Sequence, residues 1–202
     1  MATRVGTAIP AADFNEAARQ PLEAERCALV VVDIQEKLLP PIHEKERLVR
    51  NAQLLLRLAN ILKIPALVTT QYERGLGKTV AEVAALLPET PSIDKVEFGC
   101  FHSGGFCSAM KALPGQRNTV LLCGMETHIC VMQTALGALQ RGYLVHVAAD
   151  AVGSRTEFNW KIGLERMRDA GAVLSSTETI IYELLRASGT AAFKGMLPYL
   201  KG

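Results

Sequence analysis

The chain has 202 residues, 49% hydrophobic and 21% charged, a balance that builds a buried core and excludes the charge-rich, apolar-poor signature of disorder. Twenty-two Lys and Arg against twenty Asp and Glu leave a formal charge of +2. With no long block of like charge, neither nucleic acid nor a membrane surface is an expected partner.

In chain order, residues 1–25 mix Arg4, Asp13, Glu16 and Arg19 without a continuous apolar run. They read as an appended arm rather than a secretory signal, which makes the cytoplasm the expected location. The domain is expected over residues 26–202. Residues 27–33 contain Leu29-Val30-Val31-Val32, too uniformly apolar for a half-exposed strand and suited to a buried parallel one. Across residues 44–63, Leu48, Ala52, Leu55, Ala59 and Leu62 recur at helical spacing and predict a core-facing helix. A strand is predicted over 66–70, a loop with Gly75 and Gly77 over 72–78, a short helix over 79–87 and a strand over 93–98.

A weaker helix is predicted over 103–113, then a second uniformly apolar strand over 118–123. A turn at Gly124 leads into a helix over about 127–140, with Gly142 placed to cap its C-terminus. A strand over 143–149, a helix over 157–170, a short strand over 172–175 and a helix over 178–187 complete the alternation. Apolar runs are all of strand length, whereas a membrane helix needs about 20 such residues. Strands alternating with helices imply a three-layer αβα sandwich around a mainly parallel sheet of about six strands.

Ligands of open parallel sheets sit beyond the carboxyl ends of the strands. That rule selects Asp33, Gln71, Cys130 and Asp150. With Thr127 as a helix N-cap, Cys130 falls in the first turn, where the helix dipole favours a thiolate and free amides can hold an oxyanion. The five cysteines, at 27, 100, 107, 123 and 130, include no CxxC pair, so a disulfide framework and a zinc site are both unexpected. His43, His102, His128 and His146 lack short ligand spacing, and no metal or other cofactor is expected.

The string Cys123-Gly124-Met125-Glu126-Thr127-His128-Ile129-Cys130-Val131 resembles the nucleophile segment of isochorismatase-like cysteine hydrolases. Val31-Val32-Asp33-Ile34-Gln35 resembles that family's first-strand aspartate segment, Asp94-Lys95-Val96-Glu97-Phe98 its lysine segment, and Ala149-Asp150-Ala151-Val152-Gly153-Ser154-Arg155 a downstream segment. The likeness spans residues 27 to 187. It implies a catalytic triad of Asp33, Lys95 and Cys130, in which the carboxylate takes the thiol proton, the lysine steadies the charged acceptor and the thiol attacks a carbonyl carbon. It further implies a cis peptide between Met125 and Glu126, an oxyanion hole from the Glu126 and Cys130 amides, and a homo-oligomer.

Relatives that hydrolyse nicotinamide carry metal-binding histidines after the second strand. Here that region reads Thr70-Gln71-Tyr72-Glu73-Arg74-Gly75-Leu76-Gly77, so nicotinamide and a metal are disfavoured, and another small amide-like substrate is expected. Gln71 and Phe98 are candidate substrate contacts, and both equally suit a structural role. Cys100 either packs in the core or neighbours Cys130 as a resolving thiol. A non-catalytic oligomeric scaffold and a thiol redox sensor on the same fold remain open as other functions.

Overall fold

A computed structural model describes residues 19–87 and 89–200. Most of the arm expected over residues 1–25 therefore lies outside the described residues. Its last stretch is anchored, because Leu22 N–H donates to Glu183 Oε1 (2.8 Å) and Leu22 O accepts from Arg186 Nη2 (2.9 Å).

The elements in chain order are β1 (Cys27–Val32), α1 (Lys45–Leu62), β2 (Ala66–Gln71), α2 (Glu73–Leu76), α3 (Ala81–Ala84), β3 (Ile93–Lys95), α4 (Gly104–Lys111), β4 (Thr119–Met125), α5 (Met132–Leu139), β5 (Leu144–Gly153), α6 (Glu157–Asp169), β6 (Val173–Ser175), α7 (Thr177–Leu185) and α8 (Ala191–Leu200). A π-helical turn, Thr127–Val131, joins β4 to α5. The six strands form one sheet in the order β3-β2-β1-β4-β5-β6, and every pairing is parallel.

The uniformly apolar strands follow from burial on both faces. Leu29 and Val31 of β1 join the cluster with α1, α7 and α8, while Val30 and Val32 join the opposite cluster with α4, α5 and α6. All six β1 residues are buried, so a polar residue on either side would meet hydrocarbon. The result is the expected three-layer sandwich.

Several boundaries differ from expectation. β3 stops at Lys95, because it is an edge strand beyond which Val96 is 72% exposed. β5 runs on to Gly153 through a bulge, so Asp150 lies inside a strand rather than after one. Its Oδ1 accepts from Thr177 N (2.7 Å) and Thr177 Oγ1 (2.9 Å), fastening the start of α7 away from the triad. α8 had no counterpart in the sequence reading. It packs on α1 through buried Met196 and an Arg57–Tyr199 cation–π contact of 4.1 Å.

Gly124 governs how closely β1 and β4 approach. It pairs with Val32 at φ +119, and a Cβ there would overlap the Val32 carbonyl oxygen. Only glycine takes this conformation with so little room.

Candidate active site

Sheet order places β1 at the centre, with β2 on one side and β4 on the other, so residues leaving these strands converge on one edge. Asp33 leaves β1 at φ +51, a left-handed conformation that Asp tolerates better than most residues, and is fully buried. Lys95 is the last residue of β3, in register with Gln71 at the end of β2. Cys130 comes from the π-helical turn after β4 and is 6% exposed.

Asp33 is the hub. Its Oδ2 receives Lys95 Nζ at 2.7 Å and its Oδ1 receives Thr69 Oγ1 at 2.7 Å. The ion-paired side chains are both 0% exposed. The Asp33 carboxylate and the Lys95 ammonium both lie close enough to the Cys130 thiol to act on it electrostatically. The structure thus brings Asp33, Lys95 and Cys130 together.

The thiol's protonation state departs from the expectation of a resting thiolate. Burial pushes the Cys130 thiol well above its ordinary range, and the charge of the nearby Asp33 carboxylate adds to this, while Lys95 opposes. Desolvation and a neighbouring anion both penalise a buried sulfur anion. Burial and the nearby Asp33 carboxylate therefore both favour the neutral thiol.

The turn carrying Cys130 is pinned from several sides. Thr134 Oγ1 donates to the Cys130 carbonyl (2.6 Å) and accepts from Cys100 N–H (3.0 Å). His128 Nδ1 meets Ser154 Oγ at 3.0 Å, and Glu126 Oε2 accepts from Arg155 N and Nε, both at 3.1 Å. Burial lowers the His128 pKa, countered by Glu126. Gly163 of α6 lies against the turn's backbone, where a Cβ would sit 2.9 Å from Thr127 C and from His128 N and Cα.

Thr127 is not the N-cap; Glu126 is, and the buried Thr127 Oγ1 has no hydrogen-bond partner. The turn winds with i to i+5 bonds, including Val131 N to Glu126 O at 3.2 Å, before α5 begins at Met132. The peptide between Met125 and Glu126 is cis.

The weaker candidates fall differently. Both amide atoms of Gln71 are engaged, Oε1 with Lys95 Nζ (2.8 Å) and Nε2 with Val96 O (2.8 Å), so Gln71 faces the lysine. Phe98 is 54% exposed on the rim beyond β3, near exposed Tyr72 and Val96. Cys100 is buried beside the triad, its Sγ 3.8 Å from Thr69 Oγ1, with burial pushing its thiol up to about 11. Cys27 and Cys123 are pushed up to about 12 by burial and behave as packing residues. His146 is buried in β5, with Nδ1 lacking a partner. Among the described residues no group of three or more His, Cys, Asp or Glu is arranged to hold a metal.

Sequence reasoning missed Thr69, Thr134, Gln35 and Gly163. A threonine in an apolar strand is a visible clue only for Thr69, which interrupts 66–71 on the face shared with Asp33.

Residues 27–179 match the isochorismatase domain. The chain is 37% identical over 176 residues to the secreted isochorismatase effector Isc1 of Phytophthora sojae, covering 86% of this chain and 83% of the relative. Among solved structures it is similar to the MAR1 ribonuclease from Caenorhabditis elegans, with TM-score 0.84, 33% identity and coverage of 91% and 93% of the two chains. It is also similar to YcaC from two bacteria. The Pseudomonas aeruginosa protein, solved with hexane-2,5-diol and covalent acrylamide, gives TM-score 0.83 at 26% identity over 90% of this chain and 92% of that one. The Escherichia coli protein, described as an octameric hydrolase of unknown specificity, gives TM-score 0.80 at 28% identity over 89% and 93%. Fold, buried site and these likenesses agree that the chain belongs to the isochorismatase family, whose hydrolase fold it has.

Proposed function

We propose that this protein is a cysteine-nucleophile hydrolase of a small amide-like substrate, working through an acyl thioester. The observation that carries this reading is a buried Asp33 carboxylate, held by Lys95 and Thr69, whose charge reaches the neighbouring Cys130 thiol. The covalent acrylamide of the P. aeruginosa neighbour, itself an amide-bearing electrophile, supports the presence of a reactive nucleophile on this fold.

The geometry performs the reaction in two halves. As Cys130 Sγ bonds to the carbonyl carbon, its proton passes to Asp33, so the sulfur anion never has to exist free in a buried site. The Glu126 and Cys130 amides receive the oxyanion. Asp33 then returns the proton to the departing nitrogen as the C–N bond breaks. In the second half Asp33 takes a proton from water, whose oxygen attacks the thioester. The C–S bond breaks, the acid leaves and the proton returns to sulfur. Lys95 keeps its own positive charge beside Asp33 throughout and moves no proton.

A homo-oligomer is part of this proposal, supported by the octameric E. coli neighbour and by exposed Tyr72, Val96, Phe98, Phe158 and Ile162. Five free thiols suit a reducing compartment such as the cytoplasm. A redox pair of Cys130 and Cys100 is less well supported. Cys100 is fully buried, and a thiol at about 11 is a poor attacker of a sulfenic acid near neutral pH. The direct test is ammonia or amine release from a panel of small amides, with peptide mass spectrometry of Cys130. Turnover accompanied by an acyl adduct on Cys130, and its loss in Cys130→Ala, is expected. Undiminished turnover in Cys130→Ala refutes the proposal.

A further inference from the structure

Behind the Asp33–Lys95 pair lies a second set of buried amides. Gln71 is 8% exposed and ends β2 beside Lys95. Its Oε1 accepts from Lys95 Nζ at 2.8 Å and its Nε2 donates to Val96 O at 2.8 Å. These two bonds fix which way the amide faces, since turning it over would set an N–H group against the ammonium and an oxygen against a carbonyl.

Gln35, fully buried two residues after Asp33, holds Gln71 in turn. Its Oε1 accepts from Gln71 N–H (2.7 Å) and its Nε2 donates to Gln71 O (3.1 Å) and to Gly77 O (2.7 Å). The side chain therefore bonds to the end of β2 as another strand would, and ties the loop over 72–79 to the same point. That loop is fastened again by Tyr72 N to Lys95 O at 2.9 Å and by Glu36 N to Lys78 O at 3.0 Å.

An ammonium has three donors. On Lys95 one goes to Asp33 and one to Gln71. Because Gln71 is uncharged, it fixes the ammonium without drawing off its charge, and the whole positive field falls on the carboxylate that must take the thiol proton. A carboxylate at the same place would share the cation.

We propose that Gln71 is a positioning residue that holds Lys95 on Asp33 as a neutral partner, and that Gln35 sets Gln71 and the 72–79 loop in that register. The inference rests on Cys130 being the nucleophile described above. It assigns Gln71 first to the lysine rather than to substrate.

The test is the rate of Cys130 alkylation by iodoacetamide, read by peptide mass from neutral to alkaline pH, in wild type, Gln71→Met, Gln71→Glu, Gln35→Met and Asp33→Asn. Methionine keeps the volume and removes the acceptor, and glutamate adds a charge. The alkylation midpoint is expected to rise in the order wild type, Gln71→Met, Gln71→Glu. The Glu variant should shift by about one pH unit, which is about tenfold slower alkylation below the midpoint. Gln35→Met should move it in the same direction as Gln71→Met. A purely structural role would lower the melting temperature and leave the midpoint in place. Unmoved midpoints in the Gln71 variants, with wild-type alkylation still dependent on Asp33, overturn the positioning role alone. Alkylation indifferent to Asp33→Asn overturns the nucleophile reading itself. If Gln71→Glu fails to fold, Gln71→Met decides.

Discussion

Replacing Gly163 by alanine tests whether helix α6 sets the position of the nucleophile turn. An added Cβ would stand 2.9 Å from three backbone atoms, Thr127 C, His128 N and His128 Cα. Carbon contacts settle at roughly 3.5–4.0 Å, so helix and turn must part by about 0.6–1 Å. Backbone atoms cannot swing aside as a side chain would. Overpacking of this kind costs about 1–3 kcal/mol, and alanine returns only about 0.5–1 kcal/mol through its better helix propensity. Gly163→Ala should therefore be destabilised by about 0.5–2 kcal/mol.

Gly195→Ala on α8 provides the opposite sign. Its Cβ would meet only the Ile61 side chain, at 3.4 Å and beyond, and the variant should gain about 0.4–1 kcal/mol. Urea unfolding measures both, with an unchanged slope required for the comparison. Cys130 alkylation should fall in Gly163→Ala and hold in Gly195→Ala, because misplacing a reacting group by about 1 Å can cost up to about 10²-fold. If Gly163→Ala unfolds at or above the wild-type midpoint and alkylates at the wild-type rate, the contact does not govern the turn.

Two other perturbations bear on the buried charges. Lys95→Met leaves the buried Asp33 carboxyl without its cation, which should cost about 3–5 kcal/mol; a urea midpoint that regains much of this loss in Asp33→Leu/Lys95→Met would identify the orphaned carboxyl as the cause. His146 is buried and its pKa lies below the ordinary 6.5, chiefly through desolvation. The unfolded chain then takes up the proton first, so this contribution to stability is complete above 6.5 and is lost as pH falls through the folded value. His146→Leu should flatten the stability loss between about pH 7.5 and 5.5, and equal slopes in wild type and variant would show that His146 is not responsible.

Much of the fold was legible because burial on both faces leaves a plain mark. The runs around Leu29 to Val32 and Val120 to Leu122 are apolar at every position, which only a central parallel strand requires. Gly142, at φ +81, takes the chain reversal after α5. The strand-end rule picked out Asp33 and Cys130, whereas Lys95 was suggested only by the resemblance of its segment; the sheet sets Lys95 at the end of β3, bonded to Asp33.

What stayed hidden depended on partners distant in sequence. Gln71 resembles a ligand contact until Lys95 is seen to take its oxygen. Asp150 looks like a strand-end acid, but the bulge in β5 turns it toward Thr177. Thr127 has the chemistry of a cap and lies where one belongs, yet the wider π-helical winding leaves its hydroxyl unbonded. α8 was obscured by Gly195 and Pro198, both poor helix formers, and is held by contacts with α1. The thiolate expectation failed because helix position argues for a charge that burial argues against, and burial is the larger effect here.

At Gly124 the backbone of β4 rests against the Val32 carbonyl, one residue before Asp33 and six before Cys130. The absent methyl group works as a gauge block between the strand that leads into Asp33 and the strand that leads into the Cys130 turn. A side chain of any size would act as a wedge at the base of both, moving them apart together while altering neither. Loops at the rim can lengthen, shorten or change chemistry without touching that gauge, so the spacing of the two strand ends is set by the sheet and not by the rim.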